Sequence, residues 1–215
     1  MFTGIVEEIG IIKHIQKQAN SCVLTIQADK VLNDVSLGDS IAVNGICLTV
    51  TSFSKTSFTV DVMPETMKST SLRSIQTGSF VNLERAMPAT GRFGGHFVTG
   101  HVDGIGKIVS KRPVDNAVYY EISVPDHLLK YMIIKGSVAV DGTSLTIFGV
   151  SPRSFTISLI PHTLENTVLG KKEAGDIVNI ECDLIGKYIE HFVKRNAKEK
   201  THKLTKQFLE ENGFY

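Results

Sequence analysis

Ser40-Ile41-Ala42-Val43-Asn44-Gly45-Ile46-Cys47-Leu48-Thr49-Val50 returns 97 residues later as Ser137-Val138-Ala139-Val140-Asp141-Gly142-Thr143-Ser144-Leu145-Thr146-Ile147. The same offset holds without a gap further on. Ser57-Phe58-Thr59-Val60 falls on Ser154-Phe155-Thr156-Ile157, and Pro64-Glu65-Thr66 on Pro161-His162-Thr163. Val81-Asn82-Leu83-Glu84 falls on Val178-Asn179-Ile180-Glu181. One residue out of step, Thr3-Gly4-Ile5-Val6 matches Thr99-Gly100-His101-Val102. Solenoid repeats have periods of about 20–50 residues, so this longer period marks a duplicated domain. The copies span residues 1–86 and 96–185. A Gly- and Pro-containing linker, Met87-Pro88-Ala89-Thr90-Gly91-Arg92-Phe93-Gly94-Gly95, joins them at 87–95. The tail, 186–215, has no counterpart in the first copy.

Within a copy the pattern is that of strands. Ser21–Ala28, Ser40–Val43, Cys47–Phe53 and Ser57–Val62 alternate and carry many β-branched residues. Leu37-Gly38-Asp39, Asn44-Gly45 and Ser54-Lys55 separate them. Lys135-Gly136, Asp141-Gly142 and Ser151-Pro152-Arg153 do so in the second copy. Asn-Gly and Asp-Gly suit tight hairpins whose two central residues need positive φ. Short strands at this spacing favour a small barrel, which leaves no sheet edge exposed. Short helical turns are expected at Pro64–Leu72, Pro125–Tyr131 and Pro161–Leu169. In the tail Ile185, Tyr188, Ile189, Phe192 and Val193 recur at helical spacing, and a charged stretch then leads to Leu204 and Phe208. This single apolar stripe needs a partner, and copies of the helix from other subunits would supply one. The fold class is therefore all-β with a C-terminal α-helix, built from two similar barrels.

Composition removes several functions. A net charge of +1, spread along the chain, does not make a nucleic-acid surface. No apolar run approaches the about 20 residues of a membrane span. Met1 to Glu8 lacks the basic-then-apolar order of a secretory signal. Cys22, Cys47 and Cys182 are odd in number and widely spaced, which predicts neither a disulfide framework nor zinc but reduced thiols in the cytoplasm. His96 and His101 lack further ligands at metal-binding spacing, so no metal is expected. No glycine-rich phosphate loop links a strand to a helix.

Duplication implies two similar pockets, and the differences between copies mark where their tasks diverge. Ile5 becomes His101, Gly38 becomes Lys135, Asn44 becomes Asp141, Cys47 becomes Ser144, Asp61 becomes Ser158 and Glu65 becomes His162. The second copy thus gains residues that hold or move protons. The first offers Cys47, a nucleophile or a soft contact, with Thr49. Each also has a plain structural reading. Asp141 suits the first position of a tight turn, Ser144 and Thr146 are ordinary strand hydroxyls, Lys135 a solvated turn lysine, and His101 a satisfied structural histidine.

Taken together, Met1-Phe2-Thr3-Gly4-Ile5-Val6-Glu7, Asn44–Val50, Gly94-Gly95-His96, Gly100-His101-Val102, Lys135-Gly136, Asp141–Thr146 and Ile160-Pro161-His162-Thr163-Leu164-Glu165 resemble the riboflavin synthase family over the whole chain. The resemblance implies two six-stranded Greek-key barrels and a homotrimer joined through C-terminal helices. It also implies a transferase that works without metal or organic cofactor. Two molecules of 6,7-dimethyl-8-ribityllumazine would bind per site, between the first barrel of one subunit and the second barrel of its neighbour. A four-carbon unit would pass from one to the other, giving riboflavin and 5-amino-6-(D-ribitylamino)uracil.

Carried over by the same resemblance, the first pocket comprises Gly4, Ile5, Val6, Cys47, Leu48, Thr49, Asp61, Val62, Met63, Pro64, Glu65 and Thr66. The second comprises Gly100, His101, Val102, Lys135, Ser144, Leu145, Thr146, Ser158, Leu159, Ile160, Pro161, His162 and Thr163. Phe2 would bring the N-terminal segment to the reaction. His101 would move protons, supported by Ser144 and Thr146. Cys47 or a water would form the adduct, and Asp141 and Lys135 would position groups and tune charge. Lumazine synthase is a candidate partner. Two rival readings remain. One is a non-catalytic antenna protein that holds lumazine or flavin. The other is the barrel of a flavin reductase, which would need a nicotinamide-binding domain for which the chain has no fingerprint.

Overall fold

The computed structural model describes residues 1–17, 21–199 and 206–214. The first copy supplies strands β1 Glu8–Lys17, β2 Cys22–Gln27, β3 Ser40–Val43, β4 Ile46–Phe53, β5 Ser57–Val62 and β6 Phe80–Arg85. The second supplies β7 Gly104–Val114, β8 Ala117–Ser123, β9 Ser137–Val140, β10 Thr143–Val150, β11 Ser154–Leu159 and β12 Ile177–Cys182. The first set closes in the order β1-β2-β5-β4-β3-β6, and the second follows the same order. Strands β2 and β3 each pair with a strand distant in sequence, β5 and β6, as Greek-key connections require. All pairings are antiparallel.

Both barrels bend at the same places. Register slips fall between Ile12 and His14 and between Val50 and Ser52. They recur between Ile108 and Ser110 and between Ile147 and Gly149. An extra residue at such a bulge sharpens strand curvature and lets a six-stranded sheet close on itself. Alternation then fills each interior. Leu24, Ile26, Phe58, Val60 and Leu83 are fully buried in the first core, and Ile122, Phe155, Ile157, Val178 and Ile180 in the second. Phe58 and its counterpart Phe155 are among the largest of these, and truncating either to Ala costs about 3–5 kcal/mol.

The helical turns are shorter than the sequence suggests: α1 is Pro64–Ser69, α2 Asp126–Leu129 and α3 Pro161–Asn166. Thr70 and Thr167 are extended and break the turn, and single 3-10 turns follow at Ser71–Ser74 and Val168–Lys171. The reason lies in the other copy. Ser71 N–H donates to Asn179 Oδ1 at 2.7 Å, and Val168 N–H to Asn82 Oδ1 at 2.8 Å. A partner for these buried donors outside the helix makes the break affordable.

The barrels meet around an approximate two-fold axis. Asn44 and Gly45 both have positive φ, as do Asp141 and Gly142, and the two turns abut. A methyl group at Gly45 would stand 2.7 Å from Gly142 N, and one at Gly142 would stand 2.6 Å from Gly45 N. Asn82 Nδ2 donates to Asp141 O and Asn179 Nδ2 to Asn44 O, both at 2.8 Å. Phe2 and Val98 exchange backbone hydrogen bonds of 2.8 and 3.1 Å. Phe2, Ala42, Val98 and Ala139 form a small apolar seam of their own.

Residues Met1–Leu184 form one compact unit and Ile185–Tyr215 a second. Helix α4, Leu184–Glu199, starts on the last residue of the first unit and otherwise belongs to the second, which also contains α5, Lys206–Glu211. On α4 the expected stripe of Ile185, Tyr188, Ile189, Phe192 and Val193 is exposed. Leu204 lies outside the described residues. Among those described, no helix is long and apolar enough to cross a membrane.

Candidate active site

Strands β4 and β10 alternate, so Leu48 turns into the first core while Cys47 and Thr49 face outward. Ser144 and Thr146 face outward in the same way. Val50 pairs with Val60 and Ile147 with Ile157. One step along each ladder, Thr49 therefore stands beside Asp61 and Thr146 beside Ser158. Val62 and Leu159 point inward, and the chain then leaves the barrel. Met63, Pro64 and Glu65 form an exposed rim ahead of part-buried Thr66, and Ile160, Pro161 and His162 do so ahead of Thr163. Each barrel thus presents an outer strand face, its recess, that carries hydroxyl or thiol groups beside this rim.

The structure exchanges one wall between the recesses. Gly4–Val6 was expected beside Cys47, and Gly100–Val102 beside Ser144. Instead Ser144 N–H donates to Gly4 O at 2.7 Å, and Cys47 N–H donates to Gly100 O at 2.9 Å. Val102 packs against the core of the first barrel. The approach is too close for a side chain: a methyl group at Gly4 would lie 2.6 Å from Ser144 Cβ, and one at Gly100 2.5 Å from Cys47 Cβ. The first recess therefore joins Cys47, Thr49 and Asp61–Thr66 to Gly100, exposed His101 and Val102. The second joins Ser144, Thr146 and Ser158–Thr163 to Gly4, exposed Ile5 and Val6. The physical reason is the Phe2–Val98 bridge, which carries the opening segment of each copy across the seam onto the other barrel.

A buried carboxylate anchors each exchanged segment. Glu84 on β6 accepts Thr3 N–H at 2.7 Å and the Thr3 hydroxyl at 2.8 Å on Oε1, and Gly4 N–H at 3.0 Å on Oε2. Glu181 on β12 repeats the set with Thr99 N–H at 2.6 Å, the Thr99 hydroxyl at 2.7 Å and Gly100 N–H at 3.0 Å. Burial pushes the Glu84 carboxyl above its usual range, and hydrogen bonds from Thr3, Gly4 and Ile5 oppose that rise.

The copies differ in what surrounds these walls. His96 Nδ1 lies 2.7 Å from Ser144 Oγ, and burial lowers the His96 pKa while Asp183 raises it less. Lys135, in the left-handed region at φ +69°, replaces a glycine of the first copy and holds its Nζ 5.4 Å from the Phe148 ring. Phe148 meets Tyr119 edge-on at 5.2 Å, and Tyr119 pairs with Ser158, so an aromatic pair flanks the second recess. The corresponding residue to Phe148 in the first copy is Thr51.

Two expected residues are placed differently. Asp141 is wholly buried: its Oδ1 accepts Asn179 N–H at 2.8 Å, and its Oδ2 lies 3.4 Å from Lys172 Nζ. It braces the junction of the barrels and lines neither recess, because a tight turn at the axis leaves its side chain nowhere else to go. Phe2 is also fully buried, with its ring edge behind Gly100, so it backs the first recess and does not face it. The sequence reading missed His96, Glu84, Glu181, Tyr119 and Phe148. The glutamates carried a signal, since each ends a matched segment and is identical in both copies. His96 stood in the Gly94-Gly95-His96 motif but was weighed only as a metal ligand.

The family model described as Lumazine binding domain matches residues 3–86 and 99–183. The chain is 57% identical over 215 residues to a riboflavin synthase of Bacillus subtilis (strain 168), covering 100% of both. It is 54% identical over 215 residues to that of Actinobacillus pleuropneumoniae, again covering 100% of both. The crystal structure of LumP complexed with 6,7-dimethyl-8-(1'-D-ribityl) lumazine matches with a TM-score of 0.77 and 28% identity, covering 85% of this chain and 99% of that one.

Proposed function

Because the chain belongs to the lumazine-binding domain family and matches riboflavin synthases from end to end, we propose that it converts two molecules of 6,7-dimethyl-8-ribityllumazine into riboflavin and 5-amino-6-(D-ribitylamino)uracil. The observation that carries this reading is the pair of like-built recesses with unlike chemistry, Cys47 in one and Ser144 with His96 in the other. Two copies of one substrate need similar pockets. A donor and an acceptor need different ones.

The atoms of two lumazines equal those of the two products, so the reaction consumes no oxidant or reductant. The C7 methyl of the acceptor ring is acidic because its carbanion delocalises into the ring, and C7 of the donor is electrophilic. Exposed His101 in the first recess takes and returns protons, and across the subunit contact the hydroxyls of Ser144 of the partner subunit and Thr146 of the partner subunit relay them. Cys47 or a water adds to the donor ring and later leaves. Lys135 supplies positive charge near the second recess, and Asp141 acts only through the turn it braces. Holding two rings in register supplies up to about 7–11 kcal/mol of the barrier reduction.

The two rings are brought together by assembly. In this reading the exposed stripe on α4 joins three chains, and the first recess of one subunit meets the second recess of its neighbour. Free, reduced cysteines suit a cytoplasmic enzyme. Lumazine synthase, which would deliver the substrate, is a candidate for association.

The deciding experiment incubates the purified protein with 6,7-dimethyl-8-ribityllumazine alone and follows riboflavin by absorbance and fluorescence. One riboflavin formed per two lumazines consumed is the expected result. Lumazine that binds and persists would make the chain a carrier or antenna and overturn the catalytic assignment.

A further inference from the structure

We infer that Glu84 and Glu181 are positioning residues with crossed targets: each carboxylate, through the segment it anchors, sets the wall and the reactive strand residue of the opposite barrel's recess. The inference rests on the two-recess reading above, but its geometry is independent of any turnover.

The connection is continuous in both directions. Glu181 belongs to the second barrel and holds Thr99 and Gly100 by three hydrogen bonds. Gly100 O in turn accepts Cys47 N–H, and Cys47 belongs to the first barrel. Glu84 belongs to the first barrel and holds Thr3 and Gly4. Gly4 O accepts Ser144 N–H in the second. Glu84 and Glu181 are 5% and 3% exposed, so bulk water does not replace a lost bond readily. Main-chain N–H groups that converge on a carboxylate also require an acceptor at both oxygens. An isosteric amide keeps the shape but turns one oxygen into a donor, directed against a donor. A Glu→Gln change therefore releases the segment without opening a cavity.

Cys47 provides a direct reading of one arm. It is part-exposed, whereas Cys22 and Cys182 are buried, so mild alkylation reports on Cys47. The test measures the iodoacetamide reaction rate at Cys47, resolved by mass spectrometry, in the parent, Glu181→Gln and Glu84→Gln. Peptide-resolved amide exchange over 46–49 and 143–146 is measured alongside. Glu181→Gln should raise Cys47 alkylation and exchange at 46–49 by about tenfold, the size of one lost bond to a charged group, and leave 143–146 near its parent rate. Glu84→Gln should do the converse. If lumazine is turned over, both variants should lose kcat more than they raise KM, since a displaced wall misaligns a ligand that still binds.

Should either amide variant fail to fold, Thr99→Val and Thr3→Val each remove one hydroxyl donor from the same carboxylate and should produce smaller changes in the same crossed pattern. Equal loosening of both regions in both variants, in proportion to a lower Tm, would overturn the inference, as would no change at either site. A parent protein that turns over no lumazine would refute the proposed function but leave the alkylation and exchange results to decide this one.

Discussion

His96 Nδ1 stands 2.7 Å from Ser144 Oγ. His96 is 8% exposed, and its Nε2 has no hydrogen-bond partner among the described residues. The ring donates to Ser144 in one tautomer and accepts from its hydroxyl in the other.

Burial lowers the His96 pKa, with the Asp183 charge opposing it. The unfolded chain therefore binds more protons than the folded one just below the usual histidine value of about 6.5. Stability contributed by neutral His96 is complete above that value and is lost as pH falls toward the folded pKa. His96→Asn should flatten the decline in Tm on mild acidification and lower turnover. A variant whose Tm falls with pH as steeply as the parent's would remove His96 as the cause.

Asp141 pulls the other way. Burial raises its pKa, and Lys172 offsets this only in part. Keeping it ionised therefore costs stability that grows as pH rises above the ordinary aspartate value of about 3.9. Asn44 fills the same position in the first copy, its Oδ1 accepting Asn82 N–H at 2.7 Å. Asp141→Asn should raise stability at neutral pH, change it little at about pH 4, and keep its turnover. Thermal melts across pH, with an assay at pH 7, check both statements; lost turnover at unchanged Tm would show that the carboxylate takes part in the chemistry.

Lys135 is strained where its counterpart is glycine. Its φ is +69°, and that of Gly38 is +89°. A left-handed backbone costs a non-glycine residue about 1–2 kcal/mol. Lys135→Gly should therefore raise Tm, and it should weaken lumazine binding or turnover because the ammonium near Phe148 is gone. Unchanged catalysis with a raised Tm would make Lys135 a surface residue with no part in the site.

At the axis, substitution should be severe. Gly45→Ala adds a methyl group 2.7 Å from Gly142 N in a backbone conformation of φ +77°. Strain and overpacking together cost about 3 kcal/mol or more. Chemical denaturation should show the loss in the midpoint with little change in slope. A variant within about 1 kcal/mol of the parent would mean that the turns can separate without disturbing the barrels.

Much of the fold was legible because a duplicated sequence is read twice. Ser40–Val43 and Ser57–Val62 carry turn residues at both ends, and their copies repeat them. Strands β1, β6, β7, β8 and β12 were not read: Glu8–Lys17 and Gly104–Val114 mix charges with apolar residues, and the Asp115-Asn116 turn that joins β7 to β8, with Asp115 at φ +50°, was passed over. The outward residues of β4 and β10 were found through the differences between the copies and the family resemblance, which also took in Leu48, a residue that faces the core. The exchange of walls was not, since a one-chain pattern pairs each segment with its own copy. Only the non-local bonds from Cys47 and Ser144 reveal the crossing. Asp141 misled because a turn residue that differs between copies resembles a specialised site residue, whereas its burial at the axis is a property of two turns in contact.

The crossed opening segments have the geometry of an arm exchange between two molecules. Phe2 meets Val98, Gly45 meets Gly142, and each asparagine of the pair Asn82 and Asn179 reaches the other copy's turn, so these contacts at the seam are made with the partners interchangeable. Such self-complementarity is what two identical subunits must have. A covalent linker between the copies turns that association into an intramolecular one, with an effective concentration of millimolar order for a short tether. Once tethered, the two halves no longer have to remain identical. One could keep a thiol while the other acquired a histidine and a lysine, and a symmetric pair of binding sites became two unequal halves of a reaction.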